Sequence, residues 1–391
     1  MAKHIVGIVA PISGHHKRIG EGISLSFRYI IESYKAALAE KGIEIEVVDY
    51  DDKSDPLLSL SQSISAEKAG CTAIVGPADS SCAYALAREG ELSEVPFILS
   101  FATINDDVIS KSSNFFRVTS PNSRRSDTII RQIKQDFPGS SVRFFSLDGG
   151  EHTYSMNNHR QLVRCAEEHG IDYSEYFFSV DNFPECDIRS RAPIIISAPS
   201  FEGNLLLREL KARGLRSAVY GFGSNSNWLN ADAVGLVVVC DLDRNDRNPQ
   251  IRERLRSFEK TFKATKDPSI PTMLAGLVIV QAIEDVELAG LKGTIGEVRE
   301  QVMQQLRHSV FKGIVGNVKF DGHGEMIGHE QLSLVKVVSK RGAYSFSGVE
   351  QAPSAIVSEA DWYGRKALNV LMVASAVAGI AGLAIAVIAL I

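Results

Sequence analysis

The sequence predicts an α/β protein of two consecutive doubly wound units, followed by an apolar segment of membrane-spanning length. Three observations carry that expectation. Short apolar, β-branched runs alternate with stretches of helical length from Ile5 to Cys240, the pattern of right-handed βαβ units around parallel sheets. The alternation restarts around Phe116-Arg117-Val118-Thr119-Ser120-Pro121, so two sheets are more economical than one. Small-residue loops recur at strand ends, at Ser13-Gly14, Gly76 to Ser81, Ser100 to Thr103, Gly149-Gly150, Ser197 to Ser200 and Gly221 to Ser226. Ligands of such sheets bind at the carboxyl ends of the strands, here in a cleft between lobes.

The elements follow in order. Ile5 to Ala10 reads as a buried strand, and a helix from about Ile23 to Lys41 closes at Gly42. Ile43 to Tyr50 alternates as a strand and ends in the acidic run Asp49 to Asp55, read as a charged surface turn. A helix (Leu57 to Ala69) precedes the strand Thr72 to Val75, the Gly76-Pro77 turn and an alanine-rich helix. Free N–H groups at that helix start, with Ser80 and Ser81 beside them, make an anion cradle, and Asp79 or Ser80 is the candidate N-cap. Val95 to Ser100 is a fourth strand. In the second unit, helices at Ser126 to Asp136, Asn157 to His169 and Gly203 to Arg213 alternate with strands at Val142 to Leu147, Tyr176 to Val180, Pro193 to Ser197, Ser217 to Phe222 and Leu236 to Cys240.

Composition narrows the function. Of 391 residues 45% are hydrophobic and 23% charged, an ordinary globular balance, and the net charge of -5 gives no support to nucleic-acid binding. Cys71, Cys82, Cys165, Cys186 and Cys240 are odd in number and scattered, which fits buried thiols in a reducing compartment better than disulfides or zinc. His15-His16 has no partner placed by sequence and reads as two solvated loop histidines, so no metal is expected. No phosphate loop, nucleophile elbow or dinucleotide fingerprint is present, and Asp79-Ser80 lacks a histidine base, so no enzyme and no cofactor is expected.

Ala367 to Ile391 contains 25 residues without a charge, preceded by Trp362, Tyr363, Arg365 and Lys366. At about 1.5 Å per residue this crosses a hydrocarbon core of roughly 30 Å, with interfacial aromatics and positive charges on one flank. The six-residue apolar stretch near the start, ending at Pro11, is too short for a signal-peptide core. The expectation is a C-terminal anchor, inserted after synthesis, with the globular part in the cytosol. Ala374, Ala378, Gly382 and Ala386 form a small-residue stripe through which two such helices can pair in a homodimer.

Several stretches, in order, resemble a known family. They are Ile5-Val-Gly-Ile-Val-Ala-Pro-Ile-Ser-Gly14 with Gly20 and Gly22, Ile74-Val-Gly-Pro-Ala-Asp-Ser-Ser81, Val95 to Thr103, Phe115-Phe-Arg117, and Phe311-Lys-Gly-Ile-Val-Gly-Asn-Val-Lys-Phe-Asp-Gly-His-Gly-Glu325. Over roughly Lys3 to Val349 the chain is similar to type I periplasmic binding proteins of the Leu/Ile/Val-binding family. The resemblance implies two lobes joined by three crossovers: lobe 1 from 1–121 and 244–330, lobe 2 from 122–243 and 331–349, then a linker at 350–366 and the membrane helix at 367–391. It also implies a ligand site. Ser80 and Ser81 match the ligand-carboxylate loop; Phe101, Ala102 and Thr103 match the next contact loop; Ile19 stands where an aromatic often closes the pocket. Tyr154 matches a second-lobe tyrosine that folds onto the ligand.

The chain departs from that pattern in the second lobe, where the second cleft aromatic falls at Ser200 and the acidic partner of a ligand ammonium at Gly223, beside Ser224. Either Glu202 or Asp148 compensates, or the ligand is an amide, a urea-like compound or a simple carboxylate, because a buried ammonium without an anion is costly. The function expected is non-catalytic binding of a small polar ligand by a membrane-anchored sensor or regulator. The alternatives are the substrate-binding component of an ABC-type amino-acid transporter and an interaction module with a degenerate cleft.

Overall fold

The computed structural model describes residues 2–89, 93–104, 106–109, 111–150, 153–223, 226–241, 248–262, 268–290, 293–327 and 332–349. They belong to one compact unit, Met1–Glu350. The linker 350–366 and the apolar segment 367–391 lie outside the described residues. Among the described residues no helix is long and apolar enough to cross a membrane.

Five parallel strands, β1 (Ala2–Ala10), β2 (Ile43–Asp51), β3 (Cys71–Val75), β4 (Phe97–Leu99) and β5 (Phe115–Arg117), make the first sheet in the order β2-β1-β3-β4-β5. Between them run α1 (Lys17–Glu40), α2 (Pro56–Lys68), α3 (Ser80–Glu89) and the short α4 (Asp106–Ile109). Strand periodicity puts successive side chains on opposite faces, and both faces are buried. Val6, Ile8 and Ala10 of β1 enter one core, whereas Val9 enters the other with Ala66 of α2 and Ala83 and Leu86 of α3. The first of these cores takes 17 of its 38 buried residues from later in the chain, from α8 (Pro249–Phe262), α9 (Ile270–Leu288) and α10 (Ile295–His308). Of the 19 residues of α9, 13 are buried, which is why its sequence shows no polar face.

The second sheet has seven strands in the order β15-β14-β10-β9-β8-β6-β7. Its parallel members are β6 (Val142–Leu147), β7 (Tyr173–Phe178), β8 (Ile194–Ser197), β9 (Val219–Phe222) and β10 (Val237–Asp241). The last two strands, β14 (Leu332–Lys340) and β15 (Ala343–Gly348), join it antiparallel. One face packs on α5 (Asn122–Asp136) and α6 (Tyr154–His169), the other on α7 (Ser200–Ala212). The chain therefore passes between sheets after β5, after β10 and after the small antiparallel sheet of β11 (Phe311–Lys312), β12 (Asn317–Phe320) and β13 (Met326–Ile327).

Four helices, α1, α5, α6 and α7, begin three or more residues earlier than their sequence suggests. Helix α1 starts at Lys17 instead of Ile23, because Gly20 and Gly22, which read as loop residues, are buried inside it. A β-carbon at Gly20 would stand 2.2 Å from the Pro11 carbonyl oxygen, so glycine here lets the helix lie directly on the loop that precedes it. Helix α6 starts at Tyr154, with Thr153 as N-cap accepting from the Met156 N–H at 3.4 Å.

The stretch from Phe311 to Glu325, the most specific part of the resemblance, is a brace. Arg117 is wholly buried at the end of β5, and its guanidinium meets Glu325 Oε2 and Oε1 at 3.0 and 2.6 Å and also donates to the Ile104 carbonyl. The Arg117 N–H donates to the Gly324 carbonyl at 2.8 Å. This charge-assisted fork fastens the β11–β13 sheet to β5. Removing the carboxylate in Glu325→Ala leaves the guanidinium buried and uncompensated, and is expected to cost about 3–5 kcal/mol in urea unfolding; a loss below about 1 kcal/mol, the scale of a surface ion pair, contradicts the brace.

Candidate functional site

The bend after β3 brings the backbone unusually close to β1. Gly76 has φ +115, and a β-carbon there would lie 2.0 Å from the Val9 carbonyl oxygen, so only glycine turns the chain at this point. The turn delivers Asp79 to the start of α3, where its carbonyl accepts the Ala83 N–H at 2.9 Å. Ser80 is buried, and among the described residues its hydroxyl has no hydrogen-bond partner. Ser81 is half-buried. On the neighbouring loop Ala102 is buried, Phe101 is largely exposed, and Thr103 is buried with its Oγ1 unpartnered.

His16 corrects the expectation of solvated histidines. It lies in the β1–α1 loop, half-buried, with Nδ1 3.0 Å from Ser54 Oγ and 3.4 Å from the nearer carboxylate oxygen of Asp79. The hydrogen bond its ring N–H donates to the Asp79 carboxylate holds its pKa above the usual histidine range, against the cost of burial and helped by the charges of Asp79, Glu202 and Asp52. His15 remains exposed, with its ring 6.2 Å from that of Phe201 at the start of α7. Loop β1–α1 belongs to the first sheet's lobe and α7 to the second, so these residues meet across the cleft.

The run Asp49 to Asp55 is a surface turn only in part: Asp49, Lys53 and Asp55 are exposed, but Asp52 is not. Asp49 accepts from Arg28 and Ser24, Asp51 from Ser13, and Asp55 caps α2 through the Leu58 N–H. Asp52 is wholly buried. Its Oδ1 accepts the Ser54 N–H at 3.0 Å, while Oδ2 has no partner. Burial pushes its pKa up to about 6, with a further push from Asp79.

In the second lobe, Glu202 stands in the first turn of α7, half-buried, with Oε2 buried and unpartnered. Asp148, the other compensating candidate, is exposed. Ser200 is buried, but its hydroxyl accepts from Asn227 Nδ2 at 3.2 Å and so ties α7 to the turn at 226–228. Gly223 has φ +73 and open space around it; Ser224 lies outside the described residues. Tyr154 packs half-buried on the second core, near Arg125, Asn158 and Asp241. Its surroundings are the hinge, where the Asp241 carboxylate accepts from Thr119 Oγ1 and the Ser120 N–H, both at 2.9 Å, and from Arg125. Ile19 is half-buried against the first core. The structure thus brings Asp79, His16 and Asp52 together on the first lobe, puts Glu202 of the second lobe near enough for its charge to act on His16, and sets Tyr154 at the hinge.

One arrangement has the atoms of a hydrolase relay without the access. Ser146 Oγ is 2.8 Å from His159 Nδ1, whose Nε2 is 2.7 Å from Glu175 Oε2. Ser146 is wholly buried within β6, so no substrate reaches its oxygen, and the bonds serve to join β6, α6 and β7. Among the described residues no group of three or more His, Cys, Asp or Glu is arranged to hold a metal ion.

A two-lobed α/β frame with its polar groups gathered at strand ends defines a binding protein, and comparison with known proteins gives it a family. A family model described as periplasmic binding protein matches residues 5–342, and the chain belongs to that family. No curated protein matches it. Among solved structures, a leucine-binding protein of Thermotoga maritima is 18% identical with a TM-score of 0.70, covering 90% of this chain and 100% of that one. A branched-chain amino acid transporter substrate-binding protein of Streptococcus pneumoniae, in complex with isoleucine, is 15% identical at 0.70, covering 89% and 100%. A solute-binding protein of an ABC transporter from R. palustris, in complex with 4-hydroxybenzoate, is 15% identical at 0.72, covering 92% and 100%. Likeness at this identity carries the fold.

The Asp52 carboxyl generates a stability prediction. Its folded pKa lies above the unfolded one, so the folded protein binds the extra proton; the associated stability is present below about pH 4 and lost as pH rises through about 6. Asp52→Asn keeps the oxygen that accepts the Ser54 N–H and removes the buried charge. Above pH 6 it is expected to raise the unfolding free energy by up to about 2–3 kcal/mol and to flatten the pH slope in thermal melts.

Proposed function

We propose that the chain captures a small polar ligand, an amino acid or a related amide or carboxylate, by closing its two lobes over it without chemistry. What carries the proposal is the pairing of unsatisfied polar groups across the cleft's two walls. The first lobe offers the unpartnered Thr103 hydroxyl and, at the start of α3, the buried Ser80, and the second offers the unpartnered Glu202 Oε2. A buried donor or acceptor without a partner costs about 1–3 kcal/mol, and a ligand that supplies the missing partners recovers it. A carboxylate suits the hydroxyls and the helix start, and an ammonium or amide N–H suits Glu202, which takes over from the acid missing at Gly223. The named ligands of the three solved relatives all contain a carboxyl group, in line with the first half of that assignment. Transport capture is the form of this function that the relatives' names favour.

The apolar stretch Ala367–Ile391 anchors the domain to a bilayer, and the positive residues Arg365 and Lys366 keep the domain on the cytosolic side. The stripe Ala374, Ala378, Gly382 and Ala386 pairs two anchors. A sensor or regulator fits that arrangement.

Isothermal titration of the 1–350 unit with leucine, glutamine, acetamide and 4-hydroxybenzoate tests the binding. At least one titration is expected to saturate; heats of dilution alone across all four remove the proposal. For a ligand bearing an N–H donor, Glu202→Gln should weaken binding by about 10- to 100-fold, as loss of a charged hydrogen bond does. The anchor is checked separately: the full chain should stay with membranes through alkaline carbonate washing and the 1–350 unit should not, while protease added to intact cells should leave the domain uncut. Cleavage there places the domain outside and overturns its cytosolic side.

A further inference from the structure

The β1–α1 loop carries a titratable group that ligand capture does not use. We propose that His16 acts as a proton-operated stand-in for the ligand: once protonated, it draws Glu202 of the second lobe toward the first and closes the empty cleft. The inference rests on the lobe closure proposed above, and it concerns the ligand-free protein.

The geometry supplies each part. His16 is fixed on the first lobe by Ser54 and Asp79, at 3.0 and 3.4 Å, so its ring does not swing away when it takes a proton. Glu202 of the second lobe lies close enough for its charge to act on the ring, and its Oε2 is buried and lacks any donor. The two side chains are not hydrogen-bonded in this structure, yet their elements already meet one residue away, where His15 stacks edge-on against Phe201 at 6.2 Å. A small further closure is enough to bring the charges together. The other charged neighbours of the ring are Asp52, on the β2–α2 turn, and Asp79. Of the neighbouring cations, Lys17 pairs with Glu21 at 3.8 Å, and Arg18 and Lys53 stand exposed. An imidazolium is thus subject to acids from both lobes, and a neutral imidazole gives up its attraction to Glu202.

The sign follows. Asp79 raises the His16 pKa above its ordinary value of 6.5, so the cross-cleft attraction is fully present below that value and lost as pH rises through the raised one. Closure of the empty domain is therefore favoured by acid. Added salt weakens it, since the pair is only half-buried.

Small-angle X-ray scattering of the ligand-free 1–350 unit between about pH 8 and pH 5 reads this directly. The radius of gyration is expected to fall on acidification with a midpoint above 6.5, and to do so in the wild type but not in His16→Gln or Glu202→Gln. Asp52 titrates in part of the same range; Asp52→Asn should keep the transition and lower its midpoint, because one acid has left the His16 surroundings. His323→Gln, at an exposed histidine of the β12–β13 turn, should leave the curve unchanged. A flat wild-type curve, or a transition that persists in His16→Gln, overturns the proposal, and the wild-type curve decides alone if a variant does not fold. Ligand binding by calorimetry together with a flat curve removes this device and leaves capture standing; acid closure without any ligand does the opposite.

Discussion

The carboxylate of Asp241 is the tie on which the geometry of the cleft depends. It sits where the chain leaves the second sheet, and it takes the Thr119 hydroxyl, the Ser120 N–H and the Arg125 guanidinium from the segment where the chain leaves the first. Two crossovers are thus joined by charge-assisted bonds at one point. A hinge has to be narrow if two large lobes are to swing without shearing their cores. Both lobes bury each sheet on both faces, so neither deforms easily, and motion is left to the strands that Asp241 binds.

With the hinge fixed, the distribution of polar groups makes physical sense. Most buried charges are neutralised within their own lobe: Arg117 by Glu325, Arg143 by a ring of loop carbonyls, Arg299 by the carbonyls of Cys71 and Glu67. Those pairings hold loops and helices to the sheets. Unpartnered buried atoms occur elsewhere in the lobes too, on Asn122, Asn158 and Trp228 for example, but those of Thr103, Asp52 and Glu202 lie at the ends of the sheets. Two of the three come from loops at the carboxyl ends of the strands and the third from the first turn of the helix that follows β8. A protein folded only for stability has no reason to leave them so.

Much of this was legible in the sequence, and what was not has a common cause. Strand and helix alternation survives in nearly every element because burial on both faces of a parallel sheet demands it. The Gly76 bend follows from local chemistry, and the sequence already shows it as a Gly-Pro turn between strand and helix. His16 was misread, since its partner Asp79 is 63 residues away and only the sheet order brings β1 beside β3. Asp52 was taken for a surface charge because four acids in seven residues look solvated; the fold instead gives three of them partners and buries the fourth. The start of α1 was missed for another reason: a glycine that permits close packing on Pro11 is indistinguishable, in sequence, from one that permits a turn. The likeness of Phe311 to Glu325 to its family identifies a brace, a reminder that the most recognisable stretch of a chain need not touch its ligand.

The pairing at the far edge of the second sheet has a mechanical consequence. Strand β15 runs antiparallel to β14 through six residue pairs, from Lys340 with Ala343 to Val335 with Gly348, and the chain continues from its end toward residue 350. Any force borne by the following residues is delivered to that strand, in line with its length, so that its hydrogen bonds are loaded together in shear instead of unzipping singly. The described chain thus ends on the second lobe, at the edge strand of its sheet, while the first lobe carries the Gly76 bend.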